Sequence, residues 1–357
     1  MKILIVDDSS MYRQAIKACL QGQDDIDSIS LAGNGAEAIE ILKKEIFDFA
    51  IVDLEMPVMD GVEAIKEIRK FNKIIKLIVF SSQNETAAKK TLETLINGAN
   101  DFVPKCSGST NLNESLKYIK DQLIPRIKSL SPQLRLREIT KERPSTTQEI
   151  PPQKKMAPKT PWKTFEADLI CIGTSTGGPQ TMRQLFSLLR DDIEVPILIV
   201  QHMPPIFTTQ YASLLNTLNK IGVVEAFDGQ VIEKGMAYVA PGDFHMTVEG
   251  KSNLVIKLNQ EEKICFVRPS YNVLLKSIPA KLKPKTLSVV MTGMGEDGAE
   301  EITDMKKNHS LVLIQDEESC VVWGMPGAVH QRGDFDKMCN ISEIAKIINH
   351  IGSKGRR

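Results

Sequence analysis

Two successive sets of short apolar runs, each interleaved with amphipathic segments, constrain this 357-residue chain more than any other feature. Residues 2–6, 28–32, 49–52, 76–80 and 99–103 form the first set. They are rich in β-branched residues and lack apolar–polar alternation. Such a strand needs cover on both faces, as in a parallel sheet flanked by helices. Segments at 11–20, 36–44 and 61–71 carry helical apolar spacing between the runs. Five strands alternating with helices predict a doubly wound, flavodoxin-like sheet. A second set follows at 169–172, 195–200, 236–239, 286–291 and 311–314, with helical patterns at 181–189, 208–218, 271–278 and 299–307. This is again α/β, doubly wound and mostly parallel. Residues 227–266, with alternation in VIKL, read as short antiparallel strands that make a mixed sheet edge.

Between the two sets apolar periodicity fades. Residues 124–165 hold seven prolines and more basic than acidic side chains, the composition of an extended tether. Its early part, 125–140, could continue as a helix. The expected organisation is a first domain at 1–123, a linker at 124–165, a second domain at 166–350 and a basic tail at 351–357. Lys+Arg and Asp+Glu both number 45, so the charge balance argues against nucleic acid or a membrane surface as the main partner. No run approaches the ~20 apolar residues of a membrane span, and the opening MKILIV meets Asp7 and Asp8 too soon for a signal-peptide core. The six cysteines are scattered without a C-x-x-C pair, as in reduced thiols. A cytoplasmic protein is expected.

In an open α/β sheet, ligands bind at the carboxyl ends of the strands. In the first domain those ends carry Asp7 and Asp8, Asp53, Ser81 and Lys105. Gathered carboxylates repel one another unless a hard cation lies among them, and Mg²⁺ suits such oxygens. A lysine and a hydroxyl opposite suit a phosphoryl group. Each aspartate alone could be a helix cap; five polar groups gathered at the strand ends favour a site. With VDDS, DLEMPVMDG and DFVPK in place, residues 1–123 resemble a two-component receiver domain. The resemblance implies that Asp53 accepts phosphate from a histidine kinase. It also implies that Asp7, Asp8 and Asp53 hold Mg²⁺, and that Ser81 and Lys105 sense the phosphoryl group. Cys106 stands where that family usually has proline.

In the second domain Ser175, His202 and Asp297 follow three of the strand runs and are expected on one rim of the sheet. A serine hydroxyl becomes nucleophilic when a base takes its proton, and a carboxylate orients an imidazole base. Gly177 and Gly178 admit close backbone approach, and N–H groups at the helix start could hold an oxyanion. Residues 173–177 spell G-x-S-x-G, but the order Ser, His, Asp departs from the α/β-hydrolase order of Ser, acid, His. Ser175 and Asp297 could instead cap helices, and His245 rivals His202 as a base. Gly293, Gly295 and Gly298 spell G-x-G-x-x-G, with Asp316 ending the next strand, which on paper is a dinucleotide fingerprint.

IGTSTGGP, QHMPPIF, YVAPGDFH, RPSYNVL, MTGMGEDGA and QDEESCVVWGMP together resemble the catalytic domain of the chemotaxis methylesterase family, CheB. That resemblance implies a Ser175–His202–Asp297 triad, with Thr176 and Met294 in the active-site wall and the Met294 backbone as an oxyanion donor. It implies hydrolysis of glutamyl methyl esters on chemoreceptor helices and deamidation of particular glutamines, with no cofactor for the esterase step and no insertion into the membrane. For regulation, the unphosphorylated receiver is expected to cover the rim bearing Ser175, and phosphorylation of Asp53 to relax that contact. Thr174 replaces the family's usual alanine and Asn272 an aspartate. A receiver fused to a non-catalytic or dinucleotide-binding module is the alternative.

Overall fold

The computed structural model describes residues 1–105, 112–131, 161–250 and 253–353. The chain divides into two compact units, 1–146 and 147–357.

The first unit alternates β1 (Lys2–Val6), α1 (Ser10–Leu20), β2 (Ser28–Ala32), α2 (Gly35–Lys44), β3 (Phe49–Asp53), α3 (Gly61–Phe71), β4 (Lys76–Ser81), α4 (Glu85–Ile96), β5 (Asp101–Pro104) and α5 (Leu112–Leu130). The strands pair in parallel in the order β2-β1-β3-β4-β5. Strand order reverses between β1 and β3, so the carboxyl ends of these neighbours open the crevice where ligands bind. Local chemistry agrees with each helix start: Ser9, Asn34, Asp60 and Asn84 cap the first four helices with side-chain oxygens. The fifth run lies two residues later than its composition predicts.

α5 runs on through Pro125, into the stretch that could continue as a helix. Ile119, Leu123, Ile127 and Leu130 keep the helical stripe and are all buried. An interior proline costs about 3 kcal/mol. Burying Ile127 and Leu130 returns roughly 1.5–3 kcal/mol each, so packing overrides the local break. The remaining linker, 132–160, lies outside the described residues.

The second unit opens on a turn at Trp162–Thr164, whose Trp162 ring meets His350 edge-on at 5.3 Å. It continues through β6 (Leu169–Thr174), α6 (Gly178–Leu188), β7 (Ile197–Gln201), α7 (Phe207–Asn216), β8 (Gly222–Glu225), β9 (Met236–Val239), β10 (His245–Glu249), β11 (Val255–Asn259) and α8 (Tyr271–Ser277). β12 (Thr286–Val290), α9 (Ala299–Lys307), β13 (Leu311–Gln315), α10 (Met325–Arg332), β14 (Lys337–Cys339) and α11 (Ile341–Gly352) complete it. Seven strands pair in the order β14-β13-β12-β6-β7-β9-β8, every pair parallel.

The expected mixed edge is therefore corrected. Sheet pairing stays parallel out to β8, and the alternating residues form a separate antiparallel pair, β10–β11. Its apolar side chains Met246, Val248 and Ile256 join Leu274 and Leu275 of α8 in one core, so the ribbon has its own partner. β8 and β14 escape sequence reading because four- and three-residue strands carry too little periodicity. Strand order reverses at β6 and β12, which sets the stretches after Gly173 and Met291 side by side. No helix among the described residues is long and apolar enough to cross a membrane.

Candidate active site

Ser175 stands one residue beyond β6 and is half-buried. Its N–H donates to Thr292 O at 3.0 Å, beyond β12, and its carbonyl accepts from Gln201 Nε2 at 2.9 Å, on β7. Three neighbouring strands thus fix the serine backbone. The chain then turns at Gly177, whose φ of 78° suits a residue without a Cβ, and Val321 packs where that Cβ would stand. α6 begins at once: the Gly178 N–H returns to Ser175 O at 2.8 Å, and Pro179 has no N–H to offer.

His202 follows β7, and its N–H donates to Thr174 O at 3.2 Å. Its Nε2 lies 2.8 Å from Asp297 Oδ2. Asp297, 2% exposed, also accepts from Ser270 Oγ at 2.7 Å, Tyr271 N at 2.6 Å and Asn272 N at 3.1 Å. Burial pushes its carboxyl up, but the His202 and Ser270 hydrogen bonds and the Tyr271 N–H outweigh that and hold it below the usual carboxylate value. Asp297 therefore caps α8 from 25 residues away, fixed as an anion aimed at one imidazole nitrogen. A bond to an acceptor-only carboxylate keeps the proton on Nε2 and leaves Nδ1 as the basic atom.

Thr176 is buried, its carbonyl accepting from Thr292 Oγ1 at 3.0 Å. Met294 is half-buried, and among the described residues its N–H donates to no protein acceptor. His245 is spent elsewhere: Nδ1 accepts from Ser270 N at 3.2 Å, and Nε2 lies 3.0 Å from Glu262 O. It holds the segment that clamps Asp297. The glycine fingerprint is spent too. Gly293 backs onto Ser175, Gly298 packs on the Tyr271 ring, and Asp316 accepts from Ser319 N at 3.0 Å. Ser270, Gln201 and Thr292 lie within the quoted motifs, but polarity alone assigns them no role: Gln201 and Thr292 stand at strand ends and Ser270 precedes α8.

In the first unit, oxygens of Asp7, Asp8 and Asp53 lie within 4.8 Å of one another. Lys105 Nζ stands 2.7 Å from Asp53 Oδ2 and 3.2 Å from Asp7 Oδ2. Burial raises Asp53 to about 6 against the opposing pull of Lys105. Asp7 Oδ2 is buried without a well-formed hydrogen bond, and this donor set of hard oxygens fits Mg²⁺. The Ser81 hydroxyl, fully buried, lies 2.8 Å from Thr91 Oγ1. Cys106 lies outside the described residues.

Residues 170–348 match the family model for the CheB methylesterase, and residues 3–117 match that for the response regulator receiver domain. The chain belongs to the CheB methylesterase family. A protein-glutamate methylesterase/protein-glutamine glutaminase from Trichodesmium erythraeum is 38% identical over 357 residues, covering 98% of this chain and 99% of the relative. One from Pyrococcus horikoshii is 36% identical over 349 residues, covering 97% and 92%. The crystal structure of the Thermotoga maritima CheB methylesterase catalytic domain matches with a TM-score of 0.50 and 36% identity, over 51% of this chain and 98% of that one.

Against the CheB pattern, the two substituted positions have local explanations. Thr174 Oγ1 donates to Thr292 O at 3.0 Å, the carbonyl that also receives the Ser175 N–H. Asn272 serves Asp297 through its backbone, while its Oδ1 accepts from Glu301 N at 3.2 Å in the first turn of α9. A neutral amide supplies the same acceptor there as a carboxylate.

Proposed function

We propose that this chain is a phosphorylation-controlled protein-glutamate methylesterase and glutamine deamidase acting on chemoreceptors in chemotactic adaptation. Membership of the CheB methylesterase family supports the activity. The observation that carries the site assignment is the 2.8 Å bond from His202 Nε2 to the buried Asp297 carboxylate, on the rim where Ser175 stands.

In the proposed reaction, Ser175 Oγ attacks the ester carbonyl carbon as its proton passes to His202 Nδ1. The carbonyl π pair moves to oxygen, where the Met294 N–H offers a donor. Collapse breaks the bond to the methoxy oxygen, which takes the proton from His202 and leaves as methanol. Water, deprotonated by His202, then attacks the acyl-serine, releasing glutamate and restoring Ser175. With glutamine the leaving group is ammonia. Asp297 keeps its negative charge throughout and stabilises the imidazolium. This step needs no group beyond these side chains and water.

Control is assigned to Asp53 as the phosphate acceptor from a histidine kinase. Asp7, Asp8 and Asp53 would hold Mg²⁺, which neutralises the entering phosphoryl charge, and Ser81 and Lys105 would read the product. The unphosphorylated receiver is proposed to restrain the esterase.

The deciding experiment is methanol release from methylated chemoreceptor, with and without a small phosphodonor. Ser175→Ala is expected to abolish release with folding intact, and near-normal release would overturn the nucleophile assignment. Asp53→Asn is expected to abolish the response to phosphodonor. Deleting residues 1–140 is expected to raise basal release; an unchanged or lower rate would overturn simple restraint.

A further inference from the structure

Ile264 and Val267 form an antiparallel bridge, with Val267 N donating to Ile264 O at 3.0 Å. The two residues between them, Cys265 and Phe266, have φ of 51° and 64°. Two-residue turns with both φ positive are normally filled by Asn-Gly or Asp-Gly, because a Cβ is disfavoured there. Strained backbone persists only where its surroundings over-determine it, and it gathers at ligand clamps and active sites. Here the surroundings are explicit. Arg268 NH1 donates to the carbonyls of Gln260 and Glu261 at 2.9 and 2.8 Å, and its NH2 lies 2.6 Å from Asp243 Oδ1. Asn272 Nδ2 reaches Cys265 Sγ at 3.7 Å.

Phe266 nevertheless packs on almost nothing: it is 96% exposed. A ring left in water gains no burial to offset the strain of its backbone. It also has company. Ile206, Phe244 and Ile264 are exposed apolar residues, and Ile206 too has a positive φ, of 73°. Their loops are pinned to one another and to the triad. Gly242 backs directly onto Pro204 and Pro205, Asp243 N donates to Arg268 O at 3.2 Å, and Asn272 N donates to Asp297. Exposed large apolar side chains carried on loops tied to one another point to an interaction surface.

The substrate says what must cover them. A glutamyl ester carbonyl stands three carbons from its own Cα, whereas a helix with its side chains is about 10–12 Å across. For that carbonyl to reach Ser175, the helix has to press on the surrounding rim.

We propose that the Ile264–Val267 turn presents Phe266 as an apolar anchor, which docks against an apolar face of the receptor helix bearing the methyl ester. Ile206, Phe244 and Ile264 line the same seat. This rests on the esterase reading above. Phe266 acts on helix docking and not on the chemistry of the ester.

The test uses the full chain, phosphorylated, with two readouts: methanol release from methylated receptor, and the labelling rate of Ser175 by a small fluorophosphonate. Phe266→Gly removes the ring while suiting the positive φ, so folding is preserved. It and Phe266→Asp are expected to lower kcat/KM for receptor by about tenfold or more, the loss typical of a truncated anchor, while Phe266→Leu stays within about threefold and labelling is unchanged throughout. Receptor turnover unaffected in Phe266→Gly would overturn the proposal. So would a matching fall in labelling, which would make the turn a support for the triad. Labelling that persists in Ser175→Ala would instead overturn the esterase reading.

Discussion

Gly293 lies directly behind Ser175: a Cβ at 293 would sit 2.9 Å from Ser175 Cβ and 2.4 Å from Met325 Sδ. The glycine is held in place, its N–H donating to Val322 O and its carbonyl accepting from Gly324 N and Met325 N. The loop cannot step back from an added methyl, so the serine has to move. Gly293→Ala is expected to lower kcat by roughly 10–100-fold, the loss that follows a displacement near 1 Å, and to destabilise by about 1–3 kcal/mol. A thermal melt and methanol release at saturating methylated receptor check the two effects.

Asp297 makes a pH-dependent contribution with a defined sign. Its folded pKa is lowered, so its stabilisation is fully present above the unfolded value of about 3.9 and is lost as pH falls through the folded pKa. Asp297→Asn is expected to cost about 1–3 kcal/mol at neutral pH. The difference in melting temperature between wild type and variant should shrink as pH drops below about 4, and melts across pH check it.

Thr174 and Ser175 share one acceptor, Thr292 O. Thr174→Ala leaves that carbonyl bonded to the Ser175 N–H, so a loss of about 1 kcal/mol and an activity change within about threefold are expected. Thr174→Val puts a methyl against the carbonyl at a fully buried position and should destabilise more, with Thr174→Ser close to wild type. Chemical denaturation ranks the three.

Ile127 and Leu130 lie beyond the point where the first unit was expected to end, and both are buried. Ile127→Asp in the full chain should lower the unfolding midpoint of the receiver, by a free energy on the order of 3 kcal/mol or more. The methanol-releasing activity of the second unit should persist. A change near zero would mean that the α5 extension packs on nothing.

Lys105 stands between two buried carboxylates, Asp53 at 2.7 Å and Asp7 at 3.2 Å. Lys105→Met removes that counter-charge. The receiver is expected to melt lower in chelator and to gain more in melting temperature from added Mg²⁺ than the wild type does, because the cation then supplies the charge the lysine no longer gives. Equal Mg²⁺ gains in both proteins would count against the three aspartates as its ligands.

Much of the fold was legible because buried parallel strands have to be apolar on both faces. The first four strands and both doubly wound sheets follow from that requirement. That a helix could run on past Pro125 was open in the sequence, because the proline's local penalty is visible there while the burial that outweighs it is not. The VIKL alternation was sound evidence of an antiparallel strand but said nothing about its partner, and the ribbon proved separate from the main sheet. Ser175, His202 and Asp297 could be placed at strand ends. Strand-end position left His245 as a rival to His202, and family resemblance favoured His202; the hydrogen bonds of each ring are visible only in the fold.

The sequence by itself determined the two α/β sheets, the strand-end positions of Asp7, Asp53, Ser175, His202 and Asp297, and the motifs that tie them to one family. Tertiary structure alone decided what each group faces. Asp297 is held as an anion because His202 meets it from 95 residues away and Ser270, Tyr271 and Asn272 add donors from 25 to 27 residues away. His245 is excluded as a base because Ser270 N and Glu262 O take both its nitrogens. Phe266 stands in water because a turn anchored by Arg268 holds it there. Strand patterning is written in local periodicity, which a chain displays residue by residue. Charge state and hydrogen-bond partners depend on groups distant in sequence, and only folding brings those within reach.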